Sequence, residues 1–137
     1  MNSTMPKEIA DFEAFLGKNG LILRRREEQP VFSDKMILYG NLDISVRIVS
    51  DRGIWYVEVA DGARPDEWYD AAIIRDLFGC HGEDVLSLAD QVRIIQMNWQ
   101  SIVDGFGFVN RENTHVRLDA LRKARAKRRF PGLYPKA

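Results

Sequence analysis

The sequence has almost no cysteine and no long apolar run. Cys80 is the only cysteine among 137 residues, so the chain cannot form an internal disulfide or a zinc cage built from several cysteines. A single thiol is typical of a reducing compartment, and we expect the cytoplasm. No apolar stretch approaches the ~18 residues that span a bilayer, and residues 1–6 lack the basic and apolar regions of a signal peptide. We therefore expect neither membrane insertion nor secretion.

Motifs for catalysis and cofactor binding are also missing. Gly105 and Gly107 follow a helical pattern and precede no Lys-Ser or Lys-Thr pair, whereas a phosphate loop follows a strand and opens a helix. Cys80 and His81 have the residue types of a nucleophile and a base, but adjacent side chains seldom point at each other and no residue that would orient the base can be assigned. A loop between two helices is the better explanation. His115 has no partner at a metal-ligand spacing. We expect no cofactor, no metal site and no enzymatic activity.

The net charge of zero conceals a strong asymmetry along the chain. The apolar fraction of 45% and the charged fraction of 29% fit one globular domain over residues 1–137. Residues 1–116 contain 12 Lys and Arg against 19 Asp and Glu, whereas the residues from Arg117 onward contain 8 against 1. An acidic body is thus followed by a basic C-terminal helix and tail from about residue 115. Such a distribution bears on partners rather than on the fold.

The first half of the chain predicts one helix and a set of strands. Ile9, Phe12 and Leu16 recur at helical spacing and predict a helix over residues 5–18. Four runs with strand-like alternation or β-branched and aromatic residues follow, joined by turns: residues 21–28, 35–39, 42–48 and 54–59. Gln29-Pro30 separates the first two runs. Strands joined by short turns predict an antiparallel meander of about four strands.

The second half predicts three helices packed on that sheet. Apolar spacing assigns them to residues 66–78, to about 83–104 and to about 113–129. The longest pattern carries an apolar stripe from Val85 to Val103, and the last helix carries Leu118, Leu121 and Ala124 on its apolar side. Residues 130–135 contain two prolines and cannot continue that helix. The fold class predicted is α+β.

The segment 51–84 combines acids with large aromatic side chains. It contains nine acids and three arginines, together with Trp55, Tyr56, Trp68 and Tyr69. Aromatic residues anchor protein interfaces and acids steer a basic partner, so the segment predicts a protein-binding face. The alternative is that the aromatics belong to the core and the acids only solvate a surface. The predicted contact residues are Trp55, Asp66, Glu67, Trp68, Tyr69 and Asp70.

The basic C-terminal helix supports a different hypothesis. A dense run of cations along RNA or DNA would neutralise several phosphates and give salt-dependent binding. Cations are also favoured at helix C-termini, and the tail can instead lie against the acidic body or against a second subunit. A monomer and a homodimer are both compatible with the sequence. The residues of the nucleic-acid alternative are Arg122, Lys123, Arg125, Lys127, Arg128 and Arg129.

Residues 46–59 combine a predicted strand, an Asp-Arg-Gly turn and an aromatic strand, and Glu67-Trp68-Tyr69-Asp70 follows them. These two segments resemble small bacterial immunity-type proteins of polymorphic toxin systems. The resemblance implies a non-enzymatic protein that binds a cognate toxin in the cytoplasm and blocks its active site or a nearby surface. An acidic, aromatic-rich face would suit a basic nuclease toxin. The basic tail is not part of that pattern, which leaves the nucleic-acid alternative open.

Overall fold

The computed structural model describes residues 5–29 and 34–133. Within them, five strands form one antiparallel sheet in chain order. The strands are β1 (Ile22–Gln29), β2 (Asp34–Gly40), β3 (Ile44–Asp51), β4 (Ile54–Asp61) and β5 (Tyr69–Asp70). The helices are α1 (Lys7–Lys18), α2 (Ala71–Leu77), α3 (Leu88–Met97), α4 (Trp99–Gly105) and α5 (Arg111–Arg129), followed by a 3-10 turn at Pro131–Leu133. The predicted α+β fold, with an N-terminal helix, a meander and then helices, is confirmed.

One face of the sheet carries the apolar core. Along β3 the side chains of Ile44, Val46 and Ile48 are buried, while the alternate positions are half-buried or exposed, as expected for a sheet covered on one side. Buried side chains of the sheet and of the helices belong to one apolar cluster, which includes Phe12, Leu16, Ile37, Val57, Ile74, Ile95, Ile102 and Leu118. The helices therefore lie on this face.

The opposite face of the sheet, which we call the open face, is lined by the alternate residues. The register aligns Met36, Val49 and Tyr56 in one row across three strands. Arg47 and Glu58 are neighbours in the next row. Tyr56 is 42% exposed, so the open face combines apolar and charged side chains at the surface.

The first helix and the four predicted strands are present, with boundaries shifted by up to three residues. β3 begins at Ile44 rather than at Leu42, which is 90% exposed. The side-chain oxygen of Asn41 accepts hydrogen bonds from the amides of Asp43 and Ile44. Such an Asx turn holds Leu42 and Asp43 out of the strand.

The helix predicted for residues 66–78 is wrong at its start. Tyr69–Asp70 forms a short fifth strand beside β4, and the helix begins only at Ala71. The Asp70 carboxylate accepts a hydrogen bond from the Ile73 amide at 3.0 Å. This N-cap fixes the helix start, and Trp68 precedes it in extended chain.

The long helix predicted for residues 83–104 is two helices with an irregular segment before them. The Ser87 hydroxyl caps α3 by accepting from the Asp90 amide, which leaves residues 83–87 outside the helix. Asn98 separates α3 from α4, and its side chain donates to the Ile94 carbonyl at 2.9 Å. The backbone amide of Asn98 also donates to the Ile94 carbonyl, and the Ile102 amide donates to the Asn98 carbonyl, so the interruption is confined to Asn98. Val85, predicted to be in the core, is 85% exposed.

The last helix begins at Arg111, two or three residues before the predicted cap. Thr114 is buried and donates its hydroxyl to the Gly105 carbonyl at 2.6 Å, so it joins the helix to the preceding turn. Leu118 is buried as predicted, but Ala124 is exposed. Pro30, Tyr134 and Pro135, which carry parts of the predicted chain breaks, lie outside the described residues. No helix in residues 5–29 and 34–133 has the length and apolar character needed to cross a membrane.

Candidate functional site

Trp68 lies where the open face meets the edge of the sheet. The guanidinium carbon of Arg47 is 4.3 Å from the centroid of the Trp68 ring, a cation–π contact. The Nε atom of Arg47 also donates to Glu58 at 2.8 Å. Trp68 is half-buried, and Asp66 and Glu67 beside it are exposed. Asp66, Glu67 and Trp68 thus form an accessible margin of the sheet, which we call the Trp68 margin. Trp68 itself already contacts an arginine of its own chain.

Tyr69 is buried, and Arg122 of α5 lies over its ring. Tyr69 is 1% exposed, and its hydroxyl lies 3.4 Å from Nδ1 of His115 and 3.5 Å from Asp119. The guanidinium carbon of Arg122 lies 4.2 Å from the ring centroid. Burial, together with the carboxylate of Asp119, raises the pKa of the Tyr69 hydroxyl above its usual value. Tyr69 is therefore not a contact residue while α5 is docked.

Trp55 and Asp70 line a groove at the free edge of β4. β5 pairs only with Glu58 and Val59, so the edge of β4 before that point faces a cavity of about 290 Å³. We call this cavity the edge groove. Three apolar residues on its walls are exposed to solvent: Ile54 is 58% exposed, Tyr56 42% and Val85 85%. The residues that line the groove are Ile54, Trp55, Tyr56, Asp70, Ala71, Ala72, Asp84, Val85, Leu86, Gln91 and Arg129.

The side chain of Gln91 takes the place of a neighbouring strand at the floor of this groove. Its oxygen accepts from the Val57 amide at 2.8 Å, and its nitrogen donates to the carbonyls of Trp55 and Leu86 at 3.0 and 3.1 Å. Unpaired strand edges invite pairing with another chain. Because Gln91 satisfies this edge, the groove is suited to side chains of a partner rather than to an added strand.

The acidic segment is largely neutralised by arginines of the same molecule. Among the described residues, seven of its nine acids have an arginine within 3.9 Å: Asp51, Glu58, Asp61, Glu67, Asp70, Asp76 and Asp84. The other two, Asp66 and Glu83, are exposed. The charge of this segment is therefore less available to steer a basic partner than the sequence suggested.

Much of that neutralisation comes from α5, which faces the body with its cationic side. Arg125 is 2.7 Å from Asp70, and Arg128 and Arg129 are 3.8 and 3.6 Å from Asp84. Arg122 donates to the carbonyl of Trp68 at 2.6 Å. Of the six residues in the nucleic-acid alternative, these four contact the acidic body. The other two, Lys123 and Lys127, are exposed.

A buried ionic cluster anchors the start of α5. Asp61 is fully buried and accepts from Nε of Arg111 at 2.7 Å, while Nε2 of His115 lies 2.9 Å from the same oxygen. The Ala63 amide donates to the second oxygen at 2.8 Å. Burial by itself would raise the pKa of Asp61, but the hydrogen bonds from Ala63, His115 and Arg111 outweigh it, so this pKa lies below its usual value.

Sequence reasoning missed this cluster by counting Asp61 among the surface acids. A signal was present, because Asp61 follows Val57 and Val59 at two-residue spacing in β4, and both valines are buried. Continued alternation places Asp61 on the core face. Arg111 and His115, four residues apart on one helix, then supply the compensating groups.

The remaining candidate residues for chemistry do not form a site. Cys80 and His81 are exposed in the segment after α2, and Nδ1 of His81 is 3.8 Å from Asp76. His115 belongs to the buried Asp61 cluster. In the part of the chain that the structure describes, no group of three or more His, Cys, Asp or Glu side chains is arranged to hold a metal ion.

The two segments that resemble immunity-type proteins are neighbours in the sheet. Residues 46–59 form most of β3 and β4 with their connecting turn, and residues 67–70 include β5. The edge groove and the Trp68 margin adjoin these strands. Comparison of the chain with family models, with curated proteins and with solved structures finds no match.

Proposed function

We propose that this protein is a non-enzymatic protein-binding module and that its contact surface is the edge groove with the adjoining Trp68 margin. The supporting observation is a cluster of exposed apolar side chains, Ile54, Tyr56 and Val85, around a cavity of about 290 Å³. Exposed apolar patches rimmed by polar residues mark interaction sites. Asp70, Asp84 and Arg129 supply such a rim.

The dimensions and lining of the groove suit an anchoring side chain of a protein. Small-molecule pockets usually measure ~300–1,000 Å³ and combine an apolar lining with a few polar groups that are free to fix the ligand. In the edge groove, the polar atoms of Gln91 are already bonded to the backbone. Apolar surface is what remains for recognition, and burying an aliphatic or aromatic side chain there contributes ~1.5–3 kcal/mol.

More specifically, we propose an immunity protein that neutralises a cognate toxin in the cytoplasm. The basis is the resemblance of residues 46–59 and 67–70, whose strands border the groove. Asp66 and Glu83 remain as exposed acids that can attract a basic partner. In this form of the proposal the partner is a protein, and nucleic acid is not required for binding.

Affinity purification with matched surface variants tests the proposal. Val85→Asp places a charge on the groove wall, and Met97→Asp places the same charge on α3 at a residue that is 77% exposed. We expect the tagged wild type and Met97→Asp to retain one stoichiometric protein after nuclease treatment, whereas Val85→Asp loses it. Co-expression of that protein alone should arrest growth if it is a toxin, and wild type should restore growth. A partner lost on nuclease treatment, or retained by Val85→Asp, would overturn the proposal.

A further inference from the structure

The C-terminal half of α5 covers part of the proposed binding surface. We infer that residues 122–129 occupy the binding site of an arginine-bearing helix of the partner. That helix displaces them and binds the same residues, Trp68, Asp70 and Asp84. The inference rests on the proposed function, because it names the kind of segment that the partner presents. α5 then regulates access to the site in its own molecule.

The face of α5 that contacts the rest of the protein is mainly cationic, whereas the contacting face of most helices is apolar. A helix normally buries an apolar stripe at three- and four-residue spacing. In α5 that spacing carries one buried leucine among cationic and imidazole groups: Arg111, His115, Leu118, Arg122, Arg125 and Arg129. After Leu118, the helix is held by arginines and by the half-buried Leu121.

The attachment weakens along α5. At its start, Arg111 and His115 bind a fully buried carboxylate, and Leu118 is 0% exposed. At its end, the side chains of Arg128 and Arg129 are 58% and 45% exposed, and they approach Asp84 only to 3.8 and 3.6 Å. Exposed ion pairs contribute little, and salt screens them. The pairs of Arg128 and Arg129 are therefore the weakest contacts of α5. Arg125, whose side chain is 15% exposed and lies 2.7 Å from Asp70, is the firmest contact of this half, so displacement of this half requires a partner arginine that takes the place of Arg125.

The groups beneath this half recognise arginines at a defined spacing. Arg122 binds the Trp68 carbonyl and stacks on the ring of Tyr69, Arg125 binds Asp70, and Arg129 reaches Asp84. These three arginines follow one another at three- and four-residue intervals, so they share a helix face. Arg129 also lines the edge groove. A partner helix with the same pattern would satisfy these acceptors and place an apolar side chain in the groove.

The inference is tested by measuring how tightly a synthetic peptide of residues 111–129 binds to the full-length protein. The full-length variant R122Q/R125Q/R129Q weakens the resident helix without removing it. We expect the peptide to bind this variant at least tenfold more tightly than it binds wild type, with affinity falling as salt rises. A peptide carrying the same three Gln substitutions should not bind. The control variant K123Q/K127Q, which removes two outward cations, should match wild type.

Three results would overturn the inference. Equal peptide affinity for the triple variant and wild type would show that α5 does not occupy a recognition site. Equal binding of the two peptides would show that the arginines are not what is recognised. Concentration-dependent dimers in which α5 binds the other copy, detected by sedimentation and isotope-mixed cross-linking, would assign the margin to a second copy.

Hydrogen exchange of wild type provides a readout that does not depend on the folding of the triple variant. We expect the amides of residues 122–129 to exchange at least tenfold faster than those of residues 115–118. Equal protection along α5 would contradict displacement. Partner loss on Val85→Asp would still support the proposed function if the peptide result were negative, so the two failures are distinguishable.

Discussion

The guanidinium of Arg125 lies 2.7 Å from the Asp70 carboxylate, and this pair joins the basic end of the chain to its acidic segment. Asp70 also caps α2 by accepting from the Ile73 amide. One carboxylate thus serves as a helix cap and as an attachment point for α5. The two opposite charge features of the sequence are partners of each other in the folded molecule.

The buried position of Asp61 predicts sensitivity to acid. Its pKa is lowered in the folded state, so its contribution to stability is present above the unfolded value of ~3.9 and is lost as pH falls through the lower folded value. Asp61→Asn should therefore lower the free energy of unfolding by ~3 kcal/mol at pH 7 and make it less dependent on pH below about 4. Urea unfolding at several pH values measures both effects. Asp66→Asn, at an exposed acid, should change neither, and an equal loss in both variants would contradict the role of Asp61.

Because α5 is held more firmly at its start than at its end, the same Arg-to-Gln substitution should lower the free energy of unfolding by different amounts at the two ends. Arg111→Gln removes the partner of a fully buried carboxylate and should destabilise the fold by ~2–3 kcal/mol. Arg129→Gln removes a long, exposed pair with Asp84 and should cost less than ~0.5 kcal/mol. Thermal or denaturant unfolding of the two variants gives the comparison. Similar losses would mean that both ends of the helix are equally anchored.

We predict that replacing Gln91 by leucine, a residue of similar size, strongly lowers the free energy of unfolding. Gln91→Leu leaves the Val57 amide and the Trp55 carbonyl without their partner at the strand edge, and unsatisfied buried groups cost ~1–3 kcal/mol each. We expect the free energy of unfolding to fall by ~2–4 kcal/mol. Gln100→Leu, at an exposed position on α4, is the matched control and should be near neutral. A neutral Gln91→Leu would show that solvent satisfies this edge.

The inward arginines of α5 predict weak binding to nucleic acid. Lys123 and Lys127 are exposed and Arg128 is largely so, which leaves about three cations for phosphates. The slope of log affinity against log salt for duplex DNA should then be about −3 or shallower. Anisotropy titrations of labelled DNA and RNA at several salt concentrations measure it, and K123Q/K127Q should flatten the slope further. A slope of about −5 would require all six cations of the alternative to face the nucleic acid.

Strand alternation made the sheet predictable from sequence, but local caps made several helix boundaries unpredictable. Residues 42–48 and 54–59 showed alternation or β-branched composition that a covered sheet imposes. Asp70 and Ser87 instead set helix starts through single side-chain hydrogen bonds. Apolar spacing does not reveal such bonds, so it extended two helices beyond their ends.

The predicted contact residues were only partly brought together. Trp55 and Asp70 share the edge groove and Trp68 lies on the neighbouring margin, whereas Tyr69 turns into the core. Val85 was assigned to the core and instead forms a groove wall. Docking of the basic helix against the acidic body was one of the alternatives that the charges allowed. Its individual ion pairs were unpredictable because they join residues far apart in the chain.

The most direct test of the central claim is a hydrogen-exchange footprint of the purified partner on the full-length protein. Our account predicts that binding slows exchange at residues 54–56, 70–72 and 84–86, which border the edge groove, and speeds it at residues 122–129 as α5 is displaced. Protection confined to α1 and β1, with no change at the groove or in α5, would contradict the account.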